Sequence, residues 1–212
     1  MRPRRRALLA GLCLAGSAAA QEPLRPLPYD APEAAPLIGR VRRGGITLYF
    51  RHADTRGEPC DRSFRLGDRA GQRNISAQGR VQARLIGQRL RELAVMVELP
   101  ILAGPVFRAR DTAELAFGAS NIRIVEGLTA DDYAGPRLAW VLREHRRLMV
   151  SPVPAGLIRV LVGHRTPAIM VLGDPVVGGR VFPEGAALIL ENGAVLGVLE
   201  FAPLEGGGWH GC

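Results

Sequence analysis

Arg51, His52, Arg108 and His164 stand out because of what precedes and follows each of them. Arg51 and His52 come directly after residues 46–50, a short apolar run rich in β-formers. Arg108 comes soon after a second such run, 100–103, at the start of a helical stretch. His164 follows residues 157–163, the most apolar run in the chain, where another helix begins. Together they offer two guanidiniums, two imidazoles and two helix N-termini. That set suits a phosphoryl group: planar donors for its oxygens and the positive ends of helix dipoles. Singly, each residue has a plain reading as a surface dipeptide, a cap-region ion pair or a satisfied core histidine. Their recurrence at successive strand ends is what points to a site, because ligands of open α/β sheets gather at the carboxyl ends of the strands.

The elements that must position these residues follow from the same periodicities. Ser76 is placed to cap a helix whose apolar positions Ala83, Ile86, Leu90 and Leu93 share one face, with Arg80, Arg84 and Arg91 at polar positions. Residues 107–117 read as a helix ended by Gly118, and residues 122–125 as a short strand. Pro136 opens a helix with Leu138, Val141, Leu142 and His145 on its inner face. Thr166 followed by Pro167 marks the start of another. Residues 187–190 and 195–201 form a hairpin about Asn192-Gly193, the favoured two-residue turn. Strand and helix thus alternate, which predicts a three-layer α/β sandwich: a mostly parallel central sheet flanked by helices, plus a C-terminal β-hairpin.

The chain has 212 residues, 47% hydrophobic and 23% charged, enough for one globular domain. Its net charge of +8 looks like that of a nucleic-acid binder. All 28 basic residues are arginine, however, and without residues 1–20 the count is 24 arginines against 20 acids, +4. Basicity alone therefore does not argue for nucleic acid. Residues 1–20 have the order of a secretory signal peptide: an arginine-rich start, an apolar run from Ala7 to Gly16, and small residues with Ala18 and Ala20 at the cleavage site. That run is too short to cross a bilayer, so no stable membrane span is expected. The protein is expected to be periplasmic or secreted after cleavage near Ala20. Arg5-Arg6 leaves both general and twin-arginine export open, and Leu12 before Cys13 disfavours a lipid anchor. Cys60 and Cys212 then remain in a compartment that permits disulfides, either bridged to each other or free. Residues 21–44 are rich in Pro and Ala and read as an extended lead-in. The domain spans 45–205, and a Gly-rich tail containing His210 follows at 206–212.

Four stretches, Leu48-Tyr-Phe-Arg-His-Ala-Asp-Thr55, Asn74-Ile-Ser-Ala-Gln-Gly-Arg-Val-Gln-Ala83, Gly104-Pro-Val-Phe-Arg-Ala-Arg-Asp-Thr-Ala-Glu114 and Val162-Gly-His-Arg-Thr166, resemble motifs of the histidine phosphatase superfamily, the phosphoglycerate mutase-like fold. The resemblance covers about residues 45–200. It implies that His52 is the nucleophile, forming a phosphohistidine that water hydrolyses. It also implies that Arg51, Arg108 and His164 hold the non-bridging oxygens and stabilise the transition state. No metal and no cofactor is implied, and the sequence has no cluster at metal-ligand spacing. Arg110 falls on a different side of its helix from Arg108 and reads as a surface residue. Arg62, Arg65 and Arg73 either add charge at the pocket mouth or are solvated loop residues, and Gln72 and Asn74 are candidate polar wall residues.

Two departures from the family pattern bear on chemistry. Arg165 stands where glycine usually follows the late histidine; it either contacts phosphate or points away while its backbone begins the helix. The acid that protonates the leaving oxygen has no obvious counterpart. Asp131 and Asp132 are the best-placed candidates, although they serve equally as cap residues, and Glu126 and Asp54 come after them. His145 and His210 read as structural or incidental. The expectation is an exported, metal-independent phosphoric monoester hydrolase acting on a phosphorylated small molecule or an envelope phospho-sugar. The alternatives are an inactive member that binds phospho-ligands and a phosphoglycerate mutase-type phosphotransferase.

Overall fold

The computed structural model describes residues 24–173 and 182–206. The expected signal segment, His210 and Cys212 lie outside them. Eight strands build one sheet: β1 (Pro26–Pro28), β2 (Ile46–Arg51), β3 (Met96–Val97), β4 (Ile101–Ala103), β5 (Ile122–Ile124), β6 (Leu157–Gly163), β7 (Ala186–Glu191) and β8 (Ala194–Glu200). Their order is β1-β8-β7-β2-β6-β4-β5, with β3 also paired to β6. The β2–β6, β4–β6, β4–β5, β3–β6 and β1–β8 pairs are parallel, and β7 runs antiparallel to both β2 and β8. The expected hairpin is present, with Asn192 and Gly193 at φ of 50° and 85° as its turn type requires.

Side-chain alternation along the buried strands divides the core into two layers. Ile46, Leu48 and Phe50 of β2 join Ile158, Val160 and Val162 of β6 on one face. Helices α1 (Ala35–Arg43), α2 (Ala77–Glu92) and α3 (Phe107–Phe117) cover that face through Val41, Ile86, Leu90, Ala109 and Ala113. Tyr49 and Leu161 face the other way, with Leu188 and Leu190 of β7, under α5 (Leu138–Val150) and α6 (Arg165–Leu172). Each fully buried aliphatic or aromatic side chain contributes roughly 1.5–3 kcal/mol, so the two apolar layers hold the sheet's strand ends in place. Helices α2 and α3 meet at Gly87, where a β-carbon would stand 1.8 Å from the Ala116 carbonyl oxygen.

The N-terminal segment departs from the expected extended lead-in. Residues 26–28 form the edge strand β1, a 3-10 turn occupies Pro32–Ala34, and α1 follows from Ala35 to Arg43, with Val41 fully buried. The domain therefore includes this segment rather than beginning near Gly45. The other differences are small. A 3-10 turn at Gly135–Arg137 precedes α5, and α6 begins at Arg165, one residue before the expected start. Pro167 falls in the first turn of α6, where a missing N–H costs no hydrogen bond.

Candidate active site

The parallel pair β2–β6 ends in register at Arg51 and Gly163, so His52 and His164 emerge side by side. The His52 N–H donates to the Gly163 carbonyl at 3.0 Å, and the two imidazole rings are 5.4 Å apart between centroids. His52 Nδ1 lies 2.9 Å from the Ala53 carbonyl oxygen. A carbonyl can only accept, so Nδ1 carries the proton and Nε2 keeps the lone pair. Burial is the main reason the His52 pKa falls well below its ordinary value, and Arg51, Arg108 and His164 add to the shift by repelling a further positive charge. The ring is therefore neutral and nucleophilic at neutral pH. The same burial, with Arg108, His145 and Arg51, holds His164 neutral.

The segment after His52 is pinned on several sides. Ala53 N–H donates to Thr112 Oγ1 at 2.8 Å, and Thr112 Oγ1 donates to the Arg108 carbonyl at 2.7 Å, tying the loop after His52 to the first turn of α3. Asp54 N–H donates to Gln82 Oε1 at 2.9 Å, and Ser76 Oγ, which caps α2 by accepting from Gly79 N–H, donates to Asp54 Oδ2 at 2.6 Å. Asp54, weighed above as an acid, is fully buried and anchors this loop.

Several arginines gather beside the two imidazoles. Arg51 and Arg108 are both buried, and Arg73, Arg108 and Arg165 all lie close enough to depress the Arg51 pKa, which burial pushes down to about 10 despite Glu184. Arg165 thus belongs to the cluster, as does Arg73. Arg62 and Arg65 are exposed loop residues, and Arg110 pairs with Glu114 on the helix surface at 2.7 Å. Gln72 and Asn74 hold the loop together: Gln72 Oε1 accepts from Phe107 N–H at 3.1 Å, and Asn74 Nδ2 donates to the Arg69 and Gln72 carbonyls.

Asp131 opens the short helix α4 (Asp131–Ala134), whose N-cap is Ala130. It is half-buried, and burial, followed by repulsion from Asp132, raises its pKa to about 6 while Arg108 opposes the rise. Asp132 is exposed, and Glu126 is exposed and paired with Arg137 at 2.5 Å. Among the candidate acids, Asp131 is thus the carboxyl that combines proximity to Arg108 with a pKa raised to about 6.

Two carboxylates central to the cluster were absent from the sequence reading. Glu184, buried in the segment before β7, accepts from Arg51 Nη2 at 3.1 Å, from Thr55 N–H at 3.1 Å and from Thr55 Oγ1 at 2.8 Å. Asp61 accepts from Arg108 Nη1 at 3.2 Å, from Arg73 N–H at 2.8 Å and from the Tyr133 hydroxyl. Cys60, beside it, is disulfide-bonded; the other cysteines, Cys13 and Cys212, lie outside the described residues. Among the described residues, no group of three or more His, Cys, Asp and Glu side chains is arranged to hold a metal ion.

No family model matches the chain. An uncharacterized protein of Picosynechococcus is 34% identical over 98 residues, a match spanning 45% of this chain and 55% of that protein. The chain is similar in fold to several proteins of known structure. One is the protein histidine phosphatase SixA complexed with tungstate, at 16% identity over 74% of this chain and 97% of that one, with a TM-score of 0.48. A protein of Thermus thermophilus is 22% identical over 73% of this chain and 98% of that one, with a TM-score of 0.48. A mycobacterial glucosyl-3-phosphoglycerate phosphatase with inorganic phosphate is 20% identical over 69% and 89%, with a TM-score of 0.43. At these levels of identity and superposition, the functional reading rests on the pocket's own residues.

Proposed function

We propose that the chain is a phosphatase that hydrolyses phosphomonoesters through a phosphohistidine on His52. The observation that carries this reading is the state of His52. It is a buried, neutral imidazole whose Nδ1 proton is tied to the Ala53 carbonyl, leaving the Nε2 lone pair beside Arg51, Arg108 and His164. In the first step Nε2 attacks phosphorus, the ester P–O bond breaks, and the leaving oxygen takes the Asp131 proton. In the second step water attacks phosphorus, gives a proton back to the Asp131 carboxylate, and the P–N bond breaks to release phosphate. Arg51, Arg108, His164 and, at the edge, Arg165 hold the non-bridging oxygens as charge builds on them. No step calls on a metal. The signal-like residues 1–20 and the disulfide at Cys60 support export, with a phosphorylated small molecule or an envelope phospho-sugar as substrate.

The mature protein is expected to hydrolyse p-nitrophenyl phosphate and a simple alkyl phosphate with chelator present; turnover that depends on an added metal, or none at all, would overturn the reading. The acid has its own signature. An acid is needed in its protonated form, so kcat/KM for the alkyl phosphate should be level below about pH 6 and fall tenfold per unit above it. Asp131→Asn should lower kcat for the alkyl ester by about 10²-fold and remove that limb, while barely affecting the aryl ester, whose leaving oxygen needs no proton. An unchanged alkyl-ester profile would assign the proton to another group.

A further inference from the structure

His164 Nε2 is buried with no hydrogen-bond partner among the described residues. Its backbone lies at the junction where the β6 ladder ends at Gly163 and α6 begins at Arg165. That junction is held by one atom of a neighbouring strand. The Tyr49 hydroxyl donates to the His164 carbonyl oxygen at 2.8 Å and accepts from the His164 N–H at 2.9 Å, so both backbone polar groups of His164 close on a single oxygen.

The surroundings are shaped to keep that oxygen there. Tyr49 is fully buried, and its ring packs between His145, at 6.1 Å between centroids, and Phe182, at 6.2 Å. His145 is itself fixed, its Nδ1 donating to the Val141 carbonyl at 3.0 Å. Gly163 makes room: a β-carbon there would stand 2.3 Å from the Tyr49 hydroxyl oxygen. Burial pushes the Tyr49 pKa up from its ordinary value, so the hydroxyl stays protonated and continues both to donate and to accept.

We infer that Tyr49 is a positioning residue for the reaction: its hydroxyl clamps the backbone of His164 and so aims that imidazole at the phosphoryl group on His52. The inference rests on the phosphatase reading and deepens it, since Tyr49 touches no reacting atom and acts only through His164. A tyrosine that merely filled the core would stabilise the sheet without regard to His164.

A double-mutant cycle separates these roles. Tyr49→Phe keeps the ring and removes only the clamp, so it should fold and lower kcat for p-nitrophenyl phosphate about tenfold, with KM changed less than about twofold. In a His164→Ala background the same substitution should change kcat less than about twofold, because no imidazole remains to be aimed. Equal factors in the two backgrounds, or an unchanged kcat for Tyr49→Phe, would overturn the inference. The cycle is read in parallel on orthovanadate affinity, so that absent turnover, which would sink the phosphatase reading, leaves the coupling between Tyr49 and His164 measurable. Coupling in vanadate affinity supports the clamp, and none contradicts it.

Discussion

His52→Ala should lower kcat for p-nitrophenyl phosphate by about 10⁴-fold or more while leaving the protein folded. Loss of a covalent nucleophile removes the intermediate itself, and substitutions of this kind are among the most damaging to an enzyme. The residual rate would reflect only what Arg51, Arg108 and His164 contribute by binding and charge stabilisation. Structurally the change is mild. The side chain makes one hydrogen bond, to the Ala53 carbonyl, worth about 1 kcal/mol, whereas the backbone bonds from Gly185 to His52 and from His52 to Gly163 survive. Phosphate and vanadate should still bind, weakened but measurable. A variant with near-normal turnover, checked by steady-state kinetics beside a melting curve, would place the nucleophile elsewhere.

The second large effect is expected at a residue that touches no substrate. Glu184→Ala removes the buried carboxylate that faces Arg51 and holds Thr55 through two hydrogen bonds. Removing one partner of a buried ion pair costs about 3–5 kcal/mol, which for a domain of this size lowers Tm by on the order of 10 °C. Activity should fall by at least about 10²-fold, because Arg51 loses one of the groups that align it. Inorganic phosphate, an anion for the same cations, should raise Tm more in Glu184→Ala than in the unaltered protein. Glu184→Gln should fall between, keeping an acceptor for Thr55 but no charge. Thermal denaturation with and without phosphate reads this directly. A variant as stable and active as the parent would mean that Glu184 plays no part in holding Arg51.

The cationic half of the cluster was legible in the sequence because strand ends announce themselves. The buried runs at β2 and β6 are strongly apolar, so Arg51 and His164 mark where each stops, and the cap at Ser76 and the glycine at Gly118 bracket α2 and α3. The carboxylate half was not. Glu184 meets Arg51 across 133 positions and Asp61 meets Arg108 across 47, from segments whose sequence has no periodicity to place them. Tyr49 was read only as an apolar strand residue, since nothing local reports that its hydroxyl reaches His164. The N-terminal segment was misread for another reason. Its prolines suggested an extended lead-in, yet Pro32 and Pro36 sit in the first turns of their helices, where no N–H is needed. Pro26 and Pro28 lie on β1, which among the described residues pairs with β8 alone at the sheet edge, a place where the absent donor is tolerated.

The claim on which the account turns is a covalent bond between phosphorus and His52 Nε2. Mature protein mixed with a phosphomonoester, quenched in alkali within milliseconds and digested for mass spectrometry should yield a phosphoryl group on the peptide containing His52. That adduct should be stable to base, labile to acid, and absent from His52→Ala. A phosphoryl group on any other residue, or rapid turnover by a variant lacking His52, would contradict it.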